Sequence, residues 1–179
     1  MKIIAISGSL RAASLNTSVL HAARILAPAG VDIELFEGMG DLPFFNSDLE
    51  EERLPPEVAR FRTVIGTADG LLISSPEYAR GVAGVLKNAL DWLVASFEFP
   101  SKPVGLINTS PRATHALAAL TLTLETMSAR LVRDACITLP LLGTANDEES
   151  IAANSELANP LRQAITRFAA DINAFQTAE

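Results

Sequence analysis

The sequence predicts a doubly wound, three-layer α/β sandwich built on a five-stranded parallel sheet in the order 2-1-3-4-5. Three observations carry that reading. Five short apolar runs alternate strictly with five longer helical segments, and such alternation imposes right-handed crossovers and a parallel sheet covered on both faces. The first run, Ile3-Ile4-Ala5-Ile6, is apolar at successive positions, as a strand buried on both faces must be. Finally, 179 residues with 49% hydrophobic content suit one well-cored unit, 1-179, and the element count fits five strands better than a six-stranded dinucleotide fold.

Apolar periodicity and turn signals place the elements in order. A strand over Lys2 to Ser7 breaks at Gly8 and leads through a hydroxyl-rich loop into a helix from about Asn16 to Leu26. Val31 to Phe36 forms the second strand, and an irregular acidic and aromatic connection, Asp41 to Glu52, precedes a helix over Pro56 to Thr67. Gly70 to Ser74 is the third strand, followed by a Pro- and Gly-bracketed loop and a helix over Ala83 to Val94. Pro103 to Asn108 and a helix over Ala113 to Ala129 come next, then a weaker strand around Ala135 to Leu139 and a last helix from about Ala153 to Phe175. In the 2-1-3-4-5 order the chain reverses direction between the first and third strands, so a ligand belongs outside their carboxyl ends. The loops that matter are therefore Gly8 to Asn16 and Ser75 to Gly81, which are also the loops richest in unusual residues.

Composition narrows the partners. The net charge of −7 argues against nucleic acid, whose binding rests on clustered Lys and Arg. The N-terminal apolar run is only Ile3 to Ile6, too short for a signal peptide, and no window approaches the roughly 20 apolar residues of a membrane span. A cytoplasmic protein is expected. The lone cysteine, Cys136, can form neither an intrachain disulfide nor a multi-cysteine metal site, which agrees with a reducing compartment.

Four segments are candidates for chemistry. Ser9, Arg11, Ser14, Asn16 and Thr17 surround the start of the first helix, where unpaired amides, hydroxyls and a guanidinium suit a phosphate. Ser14 or Asn16 as a plain N-cap and Arg11 as a solvated residue is the competing reading. The loop is neither a Walker A nor a GxGxxG motif, which disfavours triphosphates and a tightly held dinucleotide. In the second segment, Pro76-Glu77-Tyr78-Ala79-Arg80-Gly81 offers backbone amides and an aromatic to a planar ring with polar edges, while Trp92 reads as a core or interface residue. Third, Thr109 and Ser110 border the same cleft. Neither His21 nor His115 has a partner at metal-ligand spacing, so no metal site and no catalytic histidine is expected. The aromatics Phe44 and Phe45 of the fourth segment cover a small local core, or mark an interface or substrate rim.

These residues resemble the NADPH-dependent FMN reductase family, flavodoxin-like enzymes that include quinone, azo-dye and chromate reductases. The resemblance is carried by Gly8-Ser9-Leu10-Arg11 with Ser14 and Asn16, by Leu42-Pro43 with Phe45-Asn46 and Asp48-Leu49, and most specifically by Pro76-Glu77-Tyr78 with Gly81, Gly84 and Leu86-Lys87-Asn88-Ala89-Leu90-Asp91-Trp92. It implies a flavodoxin-like fold. It further implies an FMN phosphate held by Ser9, Arg11, Ser14, Asn16 and Thr17, and an isoalloxazine surrounded by Pro76, Glu77, Tyr78, Ala79, Gly81 and Ser110, largely through backbone groups. NADPH or NADH would reduce the flavin, a small-molecule acceptor would reoxidise it, and no protein side chain would act as catalyst, the chemistry residing at flavin N5. Such proteins are usually homodimers or homotetramers. Release of reduced FMN to a partner monooxygenase and a flavodoxin-like electron carrier without turnover are the alternative activities. Two positions depart from the family pattern: Ala79, where Asn is common, and Pro111 to His115, where glycines are common.

Overall fold

The computed structural model describes residues 1–141 and 147–177. Its central sheet contains β1 (Lys2–Ser7), β2 (Asp32–Leu35), β3 (Gly70–Ser74), β6 (Pro103–Asn108) and the short edge strands β7 (Arg130–Leu131) and β8 (Ile137–Thr138), all paired in parallel. Spatial order is β2-β1-β3-β6-β7, with β8 also pairing with β6. Counting β7 and β8 as one broken fifth strand, this is the 2-1-3-4-5 arrangement the sequence predicts. The crossover helices are α1 (Leu15–Ile25), α3 (Pro56–Gly66), α4 (Gly84–Asp91), α5 (Thr114–Thr126) and α7 (Ser155–Gln176).

Alternation along β1 separates two cores, because successive strand residues face opposite sides of the sheet. Ile3 and Ala5 pack with Val19 and Leu20 of α1 and with Leu161, Ile165 and Phe168 of α7. Ile4 and Ile6 pack on the other side with Phe61 and Ile65 of α3, Leu86 and Leu90 of α4, and Leu120 and Leu124 of α5. Trp92, Phe61, Phe99 and Phe168 are the largest fully buried side chains, each contributing on the order of 2–3 kcal/mol of hydrophobic stabilisation.

The fold departs from the expected elements in four places, each with a local cause. The fifth strand is interrupted by a 3₁₀ turn at Arg133–Ala135, where Ala135 comes so close to β6 that a Cβ at Gly105 would lie 3.0 Å from its methyl group. The expected last helix is α7, and an unexpected short helix, α6 (Glu148–Ala153), precedes it and ends where Asn154 turns to cap α7, its Oδ1 accepting the Glu156 amide at 2.9 Å. A short helix, α2 (Ser47–Glu52), forms in the acidic connection because Asn46 caps it through a 3.0 Å bond from the Asp48 amide. Lastly, the Pro76 to Gly81 segment is a hairpin, β4 (Glu77–Tyr78) against β5 (Gly81–Val82), rather than an open loop. Its turn residues Ala79 and Arg80 both have positive φ, 48° and 60°, the geometry of a type I′ turn without the Asn or Gly that usually occupies it.

Candidate functional site

Gly8, at the carboxyl end of β1, donates its amide to the Ser74 carbonyl at 2.8 Å. A Cβ at this position would sit 2.3 Å from Ser75 Oγ, so glycine is what allows the first and third loops to meet. Beyond it, Ser14 is the N-cap of α1, its hydroxyl accepting the Thr17 amide at 3.4 Å. The amides of Leu15 and Asn16, in the first turn, have no intrahelical acceptor. Ser9 Oγ accepts the Arg11 amide at 3.4 Å, which orders the loop, while the Arg11 guanidinium is exposed and unpaired among the described residues. Ser9, Arg11 and Ser14 thus keep donors available to an anion at this helix end.

The side chains of Asn16 and Thr17 also make bonds within the fold. Asn16 is only 6% exposed, and its Oδ1 accepts from Ser74 Oγ at 2.9 Å and Thr109 Oγ1 at 3.2 Å. A single buried carboxamide therefore ties the start of α1 to the ends of β3 and β6. Thr17 shares a 2.8 Å hydroxyl bond with Ser7, turning its Oγ1 inward. Ser74 and Thr109, which sequence reasoning gave no such part, owe it to this junction; buried hydroxyls at strand ends were the one available signal, since each must find a partner there.

The third and fourth loops complete the cleft. Asn108 brackets the fourth loop, donating through Nδ2 to the Ser110 carbonyl at 2.8 Å and accepting the Ser110 amide at 3.2 Å. From β4, the Glu77 carboxylate reaches α5 and accepts the Ala116 amide at 2.8 Å. Helix α5 has no side-chain cap of its own, its N-cap being Ala113, so Glu77 supplies one from 39 residues away. Asn16, Ser75, Pro76, Glu77, Asn108, Thr109 and Ser110 are among the residues lining an open cleft of about 400 Å³. A neighbouring depression of about 370 Å³ is lined by Ser9, Arg11, Tyr78 and Gly84, among others. Among the described residues nothing lies within 4 Å of where a Cβ at Gly84 would be, so this glycine borders open space. Tyr78 is 54% exposed and, with Gly81, flanks the hairpin turn that Ala79 and Arg80 make.

The second and third parts of the sequence pattern prove to be one device. Asn88 and Trp92, one turn apart on and just after α4, both hold the connection that follows β2. Asn88 Nδ2 and Trp92 Nε1 donate to the Pro43 carbonyl at 2.9 and 2.7 Å, and the Phe45 amide donates to Asn88 Oδ1 at 2.8 Å. Phe45 stacks edge-on against the Trp92 ring at 5.0 Å, and Arg62 links the Trp92 carbonyl to Glu50. Trp92 is a core residue, while Phe44, held out by these anchors, is 89% exposed.

His115 is exposed and His21 half-buried, and among the described residues no group of His, Cys, Asp and Glu converges as a metal site would. Burial raises the thiol pKa of Cys136 above its ordinary value. No described helix is long and apolar enough to cross a membrane.

Comparison with known proteins gives the same picture. The model of the NADPH-dependent FMN reductase family matches residues 1–140. A NAD(P)H-dependent FMN reductase of Pseudomonas aeruginosa is 44% identical over 112 residues, 62% of this chain and 60% of that protein. A 2-hydroxy-1,4-benzoquinone reductase of a Burkholderia species is 43% identical over 114 residues, 62% of this chain and 61% of that protein. The matched stretch thus spans about three fifths of the length of these curated relatives. Among solved structures, a flavoenzyme NAD(P)H:(acceptor) oxidoreductase from Paracoccus denitrificans superposes with a TM-score of 0.81 at 28% identity, covering 97% of both chains. With the flavodoxin-like strand order, the phosphate-type loop at α1 and a family match over most of its length, this chain belongs to the NADPH-dependent FMN reductase family.

Proposed function

We propose that residues 1–179 act as one FMN-binding unit that passes hydride from NADPH or NADH, through bound FMN, to a quinone, azo compound, metal oxyanion or similar small acceptor. The observation that carries this reading is the meeting of three loops at the carboxyl ends of β1, β3 and β6, with an anion-type helix end on one side and an open cleft of about 400 Å³ on the other. A ligand with phosphate at one end and a flat polar ring at the other matches that arrangement, and relatives named as FMN reductase and quinone reductase support it.

The residues present fit the flavin. Ser9, Arg11 and Ser14, with the first-turn amides of α1, would hold the phosphate, Asn16 and Thr17 serving mainly to fix that loop against its neighbours. Pro76, Glu77, Tyr78, Ala79 and Gly81 would border the isoalloxazine through backbone groups, with Ser110 facing it from the fourth loop. FMN, when bound, supplies the hydride-accepting and electron-donating chemistry at N5, so no side chain is assigned as catalyst. The protein contributes position: Glu77 fixes the hairpin to α5, and hairpin amides would supply donors to the negative charge of a reduced flavin.

Exposed Phe44 (89%) and Phe97 (98%) support a homodimer or homotetramer, and the single cysteine supports a cytoplasmic setting. An anaerobic titration of the FMN-loaded protein with NADPH and then NADH tests the function. Rapid bleaching by either nucleotide is expected; failure with both would remove the oxidoreductase reading and leave a non-catalytic carrier. Purification yellow with near-stoichiometric FMN separates a prosthetic flavin from one released to a partner monooxygenase.

A further inference from the structure

Among the described residues, two ionisable side chains line the 400 Å³ cleft, Glu77 and Arg112, and their situations differ. The Glu77 carboxylate is bound to the Ala116 amide at the start of α5, where the helix dipole answers its charge. The Arg112 guanidinium is exposed and has neither an ion-pair nor a hydrogen-bond partner among the described residues. Its backbone is held firmly all the same. Ser110 Oγ accepts the Arg112 amide at 3.3 Å, Asn108 pins Ser110 on both sides, and Pro111 restricts φ between them. A chain of net charge −7 thus keeps a guanidinium fork, unpaired among the described residues, on an ordered loop at the wall of this cleft.

We propose that Arg112 makes this cleft selective for substrates bearing an anionic group, paired with the guanidinium while the reacting ring lies against the flavin. The proposal rests on the FMN reading above. On that reading the phosphate of FMN belongs to the α1 loop with Arg11, which leaves Arg112 for the second molecule to enter. Guanidinium groups bind carboxylate, sulfonate and phosphate in the same two-pronged way. Two sources share that chemistry: the 2′-phosphate of the reductant, or an acid group on the acceptor.

The test is calorimetric titration of the purified protein and its variants with two matched pairs of probes. One pair is anthraquinone-2-sulfonate and the neutral 2-(hydroxymethyl)anthraquinone; the other is NADP⁺ and NAD⁺. Arg112→Gln is expected to weaken the charged member relative to the neutral one by about fivefold, the range of a partly exposed ion pair. A shift confined to the quinone pair assigns the site to the acceptor, and one confined to the nucleotides assigns it to the 2′-phosphate. Arg167→Gln removes the same charge from an exposed position on α7, outside the cleft lining, and is expected to leave both ratios in place. Unchanged ratios in Arg112→Gln, or an equal shift in Arg167→Gln, would overturn the proposal, the latter by showing only a general field. Uptake and reduction of FMN with no Arg112 effect defeats this inference alone, whereas absence of FMN uptake defeats the functional reading and leaves the sulfonate titration to be judged separately.

Discussion

Removal of the Glu77 carboxylate tests the idea that the site's hairpin is positioned by a borrowed helix cap. Glu77 Oε2 accepts the Ala116 amide at 2.8 Å, α5 has no other side-chain cap, and Glu77 is half-buried. Loss of an N-terminal cap costs about 1 kcal/mol, and a hydrogen bond to a charged group about 1.5–3 kcal/mol. Partial exposure argues for the lower part of that span, so Glu77→Ala should destabilise the fold by about 1.5 kcal/mol. For a chain of this size that is a fall in Tm of about 3–6 °C. Glu77→Gln keeps an acceptor oxygen and loses the charge; a neutral bond is about half as strong, so its loss should be close to half as large. Differential scanning calorimetry on the wild type and both variants decides the matter, with FMN affinity measured by fluorescence quenching in parallel. Glu77→Ala should weaken FMN more than Glu77→Gln, since only the former frees the hairpin. Two results would refute the reasoning: Glu77→Ala melting within a degree of wild type, or Glu77→Gln melting as low as Glu77→Ala.

Other expectations concern the remaining parts of the molecule. Arg11→Ala should weaken FMN about tenfold at low salt and less at high salt, as loss of a screened, charge-assisted phosphate contact requires; full affinity at moderate salt would remove the phosphate assignment. Asn88→Ala leaves the Phe45 amide without its acceptor and should cost about 1–2 kcal/mol in urea unfolding, with faster proteolysis between residues 43 and 50. Ala79→Gly relieves a positive φ of 48° and should raise Tm by about 1–3 °C, its gain trimmed by the greater freedom of glycine in the unfolded chain. The raised thiol pKa of Cys136, caused mainly by burial, keeps the thiolate scarce at neutral pH. Its alkylation by iodoacetamide at pH 7.5 should therefore be markedly slower than that of a free thiol, and quick once the protein is unfolded.

Legibility in the sequence followed the range of the interactions involved. The strands Lys2 to Ser7, Gly70 to Ser74 and Pro103 to Asn108 coincide with the observed elements to the residue, because a central parallel strand must be apolar on both faces and stop at polar residues. The edge strand was legible only in part: β8 falls within Ala135 to Leu139, but β7 was missed, and each is two residues long. The short helix α6, which ends where Asn154 turns to cap α7, was not legible. At the site, Ser9, Arg11 and Ser14 stand near α1 as their types and order suggest. The inward turn of Asn16 and Thr17, by contrast, depends on Ser74, Thr109 and Ser7, partners as far as 93 residues away.

By itself, then, the sequence determined the layer architecture, the strand order and which loops meet at the carboxyl ends of the central strands, since these follow from hydrophobic period, chain length and handed crossovers. Tertiary structure alone decided what each polar side chain in those loops does. A carboxylate such as Glu77 reads from sequence as a flavin neighbour and in space caps a helix, and Asn88 and Trp92 read as a motif and in space anchor a distant loop. The physical reason is that a buried polar group takes whichever partner folding brings within about 3 Å, and that proximity is a property of the assembled sheet rather than of neighbouring residues.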